Sequence, residues 1–388
     1  MVVCDEALSI LQSINHPVCV VAVVGDRRTG KSYILSQLQE PRASECVFGI
    51  SSAMKANTIG IWMNSKPFIK TLHDGTQVAM ILLDTEGLGS IETMGEYDHH
   101  ILTLVVLLSS VLIYNGSGLV KADDLRKLRC VADLATRIQV RTNESESGSS
   151  VEFYKFFPNF HWLLRDVLLI PTITRNGVEE EVEIKDYILE EIFKRETTTS
   201  AESRRHAGIG NAILRFFPTF NAYSLPLPSL NPQVVKNIED PKFQDQINPI
   251  FLEKVNDFIG SLHGYLKPKK AWPKAGHVTG KQLSELVKVY TAMLAKPGAI
   301  PNVQSAWDQI LTAQLEASLN KATQLYETNM DIFVCENIPC EEVFIMEKHG
   351  VWFDQASKMF YEEVNTINDA DLVSKYYRKF QVALQLYK

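Results

Sequence analysis

The chain has 388 residues, a formal net charge of −7, and 45% apolar and 22% charged residues. This length allows one large domain and a smaller one, and the composition excludes a disordered or fibrous chain. The acidic balance argues against a nucleic-acid-binding protein, which carries a basic surplus, but leaves room for a local anion site.

Asp5 and Glu6 precede any apolar run, so no signal peptide is expected, and the sequons at Asn115 and Asn143 read as chance matches. Cys4, Cys19, Cys46, Cys130, Cys335 and Cys340 form no C-x-x-C pair and read as free thiols of a reducing, cytoplasmic compartment.

The first strong element is the apolar run VCVVAVV (18–24), a buried strand. It runs into Gly25-Asp26-Arg27-Arg28-Thr29-Gly30-Lys31-Ser32, which fits G-x-x-x-x-G-K-[ST]. KSYILSQLQE (31–40) then has helical spacing. The glycines let the backbone curl so that several N–H groups point inward, and the helix adds its positive end. Lys31 is placed to lie along the β- and γ-phosphates, and Ser32 to bind Mg²⁺. A second strand, VAMILLD (78–84), ends on Asp84, where the second Mg²⁺-holding acid of such a site belongs. Gly87 follows at D-x-x-G spacing, which lets a backbone N–H reach the γ-phosphate. Between these motifs lies MKANTIGIWM (54–63), where Thr58 is the candidate to complete the Mg²⁺ shell.

The longest apolar run, ILTLVVLLSSVLIY (101–114), is too short to span a bilayer and reads as a helix leading into a buried strand. ADDLRKLRCVADLATRI (122–138) is helical in pattern, and TNESESGSS (142–150) is a polar loop. WLLRDVLLI (162–170) reads as another strand core. It carries Arg165-Asp166, whose carboxylate suits the N1–H and N2–H₂ donors of guanine and whose arginine suits stacking on the base. The Asn-Lys-x-Asp guanine signature is absent. KRETTTSAESRRHAGIG (194–210) reads as a long mobile stretch.

Strand–helix alternation predicts an α/β fold with a mostly parallel sheet flanked by helices over 1–275. KPKKAWPKAGHVTG (267–280) reads as a linker or extended connection, and a helical module follows over 281–388. Trp307, Leu311, Leu315, Ala322 and Tyr326 share one helical face, and Asp369 or Asp371 is placed to cap the last helix.

GDRRTGKSYIL, TIGIWM, LLDTEGLG, LLSSVLIYN, LLRD and RFFP occur in the order and spacing of the guanylate-binding proteins, which the chain resembles. These are interferon-related large GTPases of the dynamin superfamily. The atlastins share GIW and R-D, but their third motif usually reads D-T-Q-G, not D-T-E-G-L-G. The resemblance implies a P-loop GTPase domain followed by the start of a helical stalk. It implies GTP as substrate with Mg²⁺ as cofactor, held by Ser32, Thr58 and, through water, Asp84. Nucleotide contacts fall on Gly25, Arg27, Arg28, Thr29, Gly30, Lys31, Ser32, Tyr33, Asp84, Gly87, Arg165 and Asp166. Catalysis falls on Arg28, Lys31, Ser32, Thr58 and Glu86.

Leu88 stands where small GTPases carry the glutamine that orients water. The resemblance implies that Arg28 serves instead as an internal arginine finger, positioned when two GTPase domains dimerise with nucleotide bound. Arg27 beside it reads as a solvated charge. Glu86 is implied in the water and γ-phosphate network. Ala56 stands where strongly hydrolysing relatives often carry a serine, so slow hydrolysis is one expectation. The leading reading is a dimerising GTPase that moves its helical module, with GDP and, in some relatives, GMP as product. The alternatives are a GTP-binding switch with little hydrolysis and an atlastin-like membrane tether. Association with membranes or vesicles stays open; nucleic acid is not expected as a partner.

Overall fold

The computed structural model describes residues 1–39, 60–88, 96–121, 124–125, 128, 156–193, 201–272, 276–296, 301–365, 367 and 369–385. Ala56, Thr58, the polar loop 142–150 and most of the predicted 122–138 helix lie outside the described residues. The chain divides into two compact units, Met1–Lys269 with Val278–Ile300, and Lys270–His277 with Pro301–Lys388.

The first unit is built on strand β1 (Val18–Gly25), which is buried along its whole length. A central parallel strand covered on both faces must read as an unbroken apolar run, as this one does. It pairs in parallel with β4 (Gln77–Thr85) on one side and β5 (Val111–Ser117) on the other. Beyond β5 come β6 (Asn159–Arg165) and β9 (Phe220–Leu225), also parallel. The short strands β2 (Ile61–Met63) and β3 (Phe68–Thr71) run antiparallel to β4 and complete a seven-stranded sheet.

Among the described residues, helices α1 (Asp5–Gln12), α2 (Lys31–Leu38) and α3 (Glu96–Leu108) come first. A short α4 (Ile184–Tyr187) passes into a π-helical turn over Ile188–Phe193, and α5 (Ala201–Phe216) and α6 (Pro232–Lys236) follow. Helix α7 (Pro249–His263) shares a core with α2 in which Tyr33, Ile34, Phe251 and Phe258 meet Cys19, Val21 and Val23 of β1. Helix α3 packs on β1 and on α8 (Gly280–Leu294), and α8 also packs on α1. The apolar run 101–114 is thus divided between α3 and β5, and no helix among the described residues is long and apolar enough to cross a membrane. The architecture is the expected mostly parallel α/β sheet flanked by helices, followed by helices alone.

Two readings change. The apolar run 162–170 is not one strand: β6 ends at Arg165. Asp166 takes a left-handed backbone (φ 61) that turns the chain out of the sheet. Leu168, Leu169 and Ile170 are consequently exposed, and the chain continues into an antiparallel hairpin of β7 (Thr172–Arg175) and β8 (Val178–Glu181). The stretch 194–210 is also not irregular throughout, because residues 201–210 begin α5. Ile209, Ile213 and Phe216 recur at helical spacing and are buried, an apolar face that the charged residues before it obscure.

Part of the lysine-rich connection is stitched to the sheet. The Lys269 backbone N–H donates to the Val18 carbonyl, and the Val278 N–H donates to the Lys269 carbonyl. The Lys269 ammonium is buried and donates to the carbonyls of Ser109 (2.9 Å) and Phe156 (3.0 Å). Burial pulls its pKa down to about 7.

In the second unit, α9 (Val303–Asn337), α10 (Glu342–Val364) and α11 (Ala370–Gln385) share one core. The predicted face of α9, Trp307 to Tyr326, is buried. Leu372 N–H donates to Asp369 Oδ1 (3.0 Å), which selects Asp369 over Asp371 as the cap. Phe360 is wholly buried, its ring stacked at 6.2 Å and 8° on Phe380. Phe360→Ala is expected to destabilise this unit by about 3–5 kcal/mol, the cost of removing a buried aromatic ring. Urea unfolding followed by far-UV circular dichroism checks this; a loss below about 1 kcal/mol would take the ring out of the core.

Candidate nucleotide-binding site

The carboxyl ends of four parallel strands meet at one edge of the sheet. Cross-strand pairs fix their relative heights: Val23 faces Asp84, Gly25 faces Asn115, and Ser117 faces Arg165. From central β1 the next parallel strand lies on one side as β4 and the following ones on the other as β5 and β6. A strand order that reverses there leaves a crevice, which is where open α/β sheets bind ligands.

The turn after β1 occupies this crevice. Gly25 has φ 139, and a Cβ there would stand 2.1 Å from the Asn115 carbonyl oxygen, so only glycine fits. Thr29 Oγ1 donates to the Asp26 carbonyl (2.9 Å) and closes the loop on itself. Gly30, also left-handed (φ 76), precedes α2. The loop is held from beneath by two side chains. Asn115 Nδ2 donates to Thr29 O (2.9 Å), and Arg165 donates to the same carbonyl (3.0 Å).

Lys31 is almost fully buried and donates from Nζ to the Asp26 carbonyl (2.8 Å). Burial lowers its pKa to about 8, against the opposing pull of Asp84 and Asp26. A desolvated cation held against the backbone of this loop suits a polyphosphate. Ser32 Oγ donates to Asp84 Oδ2 (2.7 Å), joining the start of α2 to the end of β4. A hydroxyl and a carboxylate in contact are the hard oxygen donors that Mg²⁺ takes, so these residues fit that ion. Thr85 Oγ1 donates to Val23 O (2.8 Å) and pins the D-T-E-G turn to β1.

The other expected residues are placed as follows. Arg28 is exposed, with a left-handed backbone (φ 62). Tyr33 buries its ring against Phe251, at 6.0 Å between centroids. Asp166 is exposed at the end of β6. Arg165 lies neither free for stacking nor in a surface ion pair; it is buried, 5.5 Å over the Phe251 ring, with its fork under the P-loop. Arg27 is not merely solvated, because its Nε donates to Gly87 O (3.1 Å) and its guanidinium stands 3.6 Å from the Glu86 carboxylate. Glu86 Oε2 in turn accepts from the Gly60 N–H (3.1 Å). Asn115 was missed as a site residue. Its only signal is an amide ending the apolar strand VLIYN, and its complete burial fits the chance reading of its sequon.

Residues 1–270 match the family model of the guanylate-binding protein N-terminal domain, and residues 274–388 that of the C-terminal domain. The chain is 32% identical to guanylate-binding protein 3 of Homo sapiens over 372 residues, 94% of this chain and 59% of that protein. It is 32% identical to guanylate-binding protein 2 of Homo sapiens over 334 residues, 85% of this chain and 54% of the relative. With guanylate-binding protein 2 of Rattus norvegicus it shares 30% over 388 residues, 99% of this chain and 62% of the relative. The chain therefore spans little more than half the length of these curated relatives.

Proposed function

The chain belongs to the guanylate-binding protein family, and from that we propose that it binds GTP with Mg²⁺ and hydrolyses it to GDP. One observation carries the reading: Lys31, Ser32 and Asp84 converge at the ends of β1 and β4, with Asp166 at the end of nearby β6. Lys31 and the loop N–H groups hold the β- and γ-phosphates. Ser32, Thr58 and Asp84 would hold Mg²⁺. When bound, Mg²⁺ supplies charge that offsets the charge developing on the transferring phosphoryl group. Gly87 offers its N–H to the γ-phosphate, and Glu86 orders the attacking water.

Phosphoryl transfer needs little covalent chemistry from the protein; positioning and charge stabilisation do the work. Arg28 supplies that charge as an internal finger. Two copies pair through their GTPase domains with nucleotide bound, which sets Arg28 on the phosphates. Hydrolysis then moves the helical module. Product chromatography separates GDP from GMP as the end point.

Base choice rests on Asp166. Its carboxylate accepts two hydrogen bonds from guanine N1–H and N2–H₂, and adenine has no such donor pair. Asp166→Asn is expected to cut the preference for GTP over ATP by roughly 10²-fold, the loss of charge-assisted bonds of about 1.5–3 kcal/mol each. Displacement of a fluorescent GDP analogue by GTP and by ATP measures it. An unchanged preference would remove Asp166 from base recognition.

A further inference from the structure

We propose that Arg27 is a positioning residue that locks three parts of the site together: the P-loop, the D-T-E-G turn and the backbone at Gly60, two residues after Thr58. The link is a chain of contacts. Arg27 Nε donates to the Gly87 carbonyl (3.1 Å), and a terminal nitrogen of the same guanidinium faces Glu86 Oε1 at 3.6 Å. The other Glu86 oxygen accepts from the Gly60 N–H (3.1 Å), while the Glu86 N–H donates to the Gly60 carbonyl (2.8 Å). Leu88 N–H donates to Gly25 O (2.9 Å), so the turn is also tied to the first residue of the P-loop.

The turn packs directly on residue 27. A Cβ on Gly87 would stand 2.3 Å from Arg27 Cγ and 2.4 Å from Arg27 Cα. Gly87 is therefore demanded by its close approach to the backbone and Cγ of residue 27, not by its own backbone angle. The planar fork of arginine presents several donors in a fixed arrangement, so it can engage a carbonyl and the carboxylate of the preceding residue together. A lysine ammonium is a point charge on a flexible stem and has no Nε donor. Arg27 is 58% exposed and Glu86 16%. An ion pair of that exposure adds little to stability, so its consequence is geometric. It sets where the Glu86 carboxylate and the Gly87 peptide stand relative to Lys31. Small displacements of such groups are costly to a reaction that depends on placement.

The two neighbouring arginines thus differ in setting: Arg27 holds the turn, and Arg28 is an exposed residue with a left-handed backbone. The kinetic part of this inference rests on the GTPase reading above; the structural part does not.

The test is a double-mutant cycle on the whole chain, with Arg27→Ala, Glu86→Ala and both together, and Arg27→Lys as the conservative variant. Arg27→Ala is expected to lower kcat about tenfold with KM and GDP affinity within about threefold, because its side chain is engaged with Gly87 and Glu86. The double variant is expected to turn over no more slowly than Glu86→Ala, since the two residues act as one unit. Arg27→Lys is expected to recover less than half of the loss, because the fork and not the charge is what matters. Additive losses, or full recovery by lysine, would overturn the proposal. Amide hydrogen exchange on the GDP-bound protein gives a second readout that needs no turnover. Exchange at Gly60 is expected to quicken about tenfold in Arg27→Ala while Val20–Val24 keep their protection. Unchanged exchange at Gly60 overturns the proposal whatever the kinetics. A wild-type chain that binds GDP but never consumes GTP sinks the hydrolysis reading, and the exchange result still decides the role of Arg27.

Discussion

Lys31→Ala is expected to weaken binding of the triphosphate on the order of 10²–10³-fold. The ammonium is buried inside the loop, with its proton donated to the Asp26 carbonyl. Truncating one member of a buried charged contact costs about 2–5 kcal/mol, and each 1.4 kcal/mol is tenfold. The fold should not suffer with it, because burying that cation is itself unfavourable; its pKa of about 8 records the penalty. Thermal unfolding of the nucleotide-free variant should therefore match or exceed the parent, while titration with a fluorescent GTP analogue shows the loss. A variant that binds as tightly as the parent would take Lys31 out of the phosphate site.

The same pKa gives the sign of a pH effect. In the nucleotide-free protein the Lys31 pKa is lowered from 10.5 to about 8. The unfolded chain thus holds the proton to higher pH, and the free protein gains stability as pH rises from about 8 to 10.5. Binding runs the other way. Phosphate charge raises the Lys31 pKa, so above about pH 8 the free protein must take up a proton to bind. Affinity should fall as pH rises above about 8, with proton uptake visible in calorimetry as a dependence on buffer ionisation enthalpy. Lys31→Ala should abolish that uptake; uptake that persists would assign the proton to another group.

Arg28→Ala is expected to leave nucleotide affinity within about threefold while turnover falls, because an arginine finger acts in the transition state and contributes about 10³–10⁵ in kcat. The residue is exposed and held at φ 62, a backbone that costs a non-glycine residue roughly 1–2 kcal/mol. Unusual backbone at a functional loop is where such strain collects. Single-turnover measurement with enzyme in excess separates the chemical step from binding. A rate reduced by less than tenfold would remove Arg28 from catalysis.

The legible part of the site was the local part. G-D-R-R-T-G-K-S, the strand before it and the Asp84 turn each declare themselves within about ten residues, because backbone curvature and phosphate chemistry need those residues in a fixed order. What was not legible lies across the sheet. Asn115 and Arg165 reach Thr29 from 86 and 136 residues away, and Arg27 reaches Gly87 across 60. No spacing rule announces such contacts; they follow from strand order and register. The end of β6 was hidden for a different reason. The residues after Asp166 are as apolar as those before Arg165, and a backbone reversal at Asp166 ends the strand where hydrophobicity does not. The buried face of α9 was legible because Leu311, Leu315, Ala322 and Tyr326 repeat at a spacing that one buried face requires.

The measurement that bears most directly on the account is GTP turnover against protein concentration, with products resolved by chromatography and ATP run alongside. A specific rate that rises with concentration, with GDP or GMP as product and ATP left intact, is the result expected of a GTPase completed by a second copy. GTP that binds with its γ-phosphate intact at every concentration would contradict it, and would make Ala56 the first residue to change.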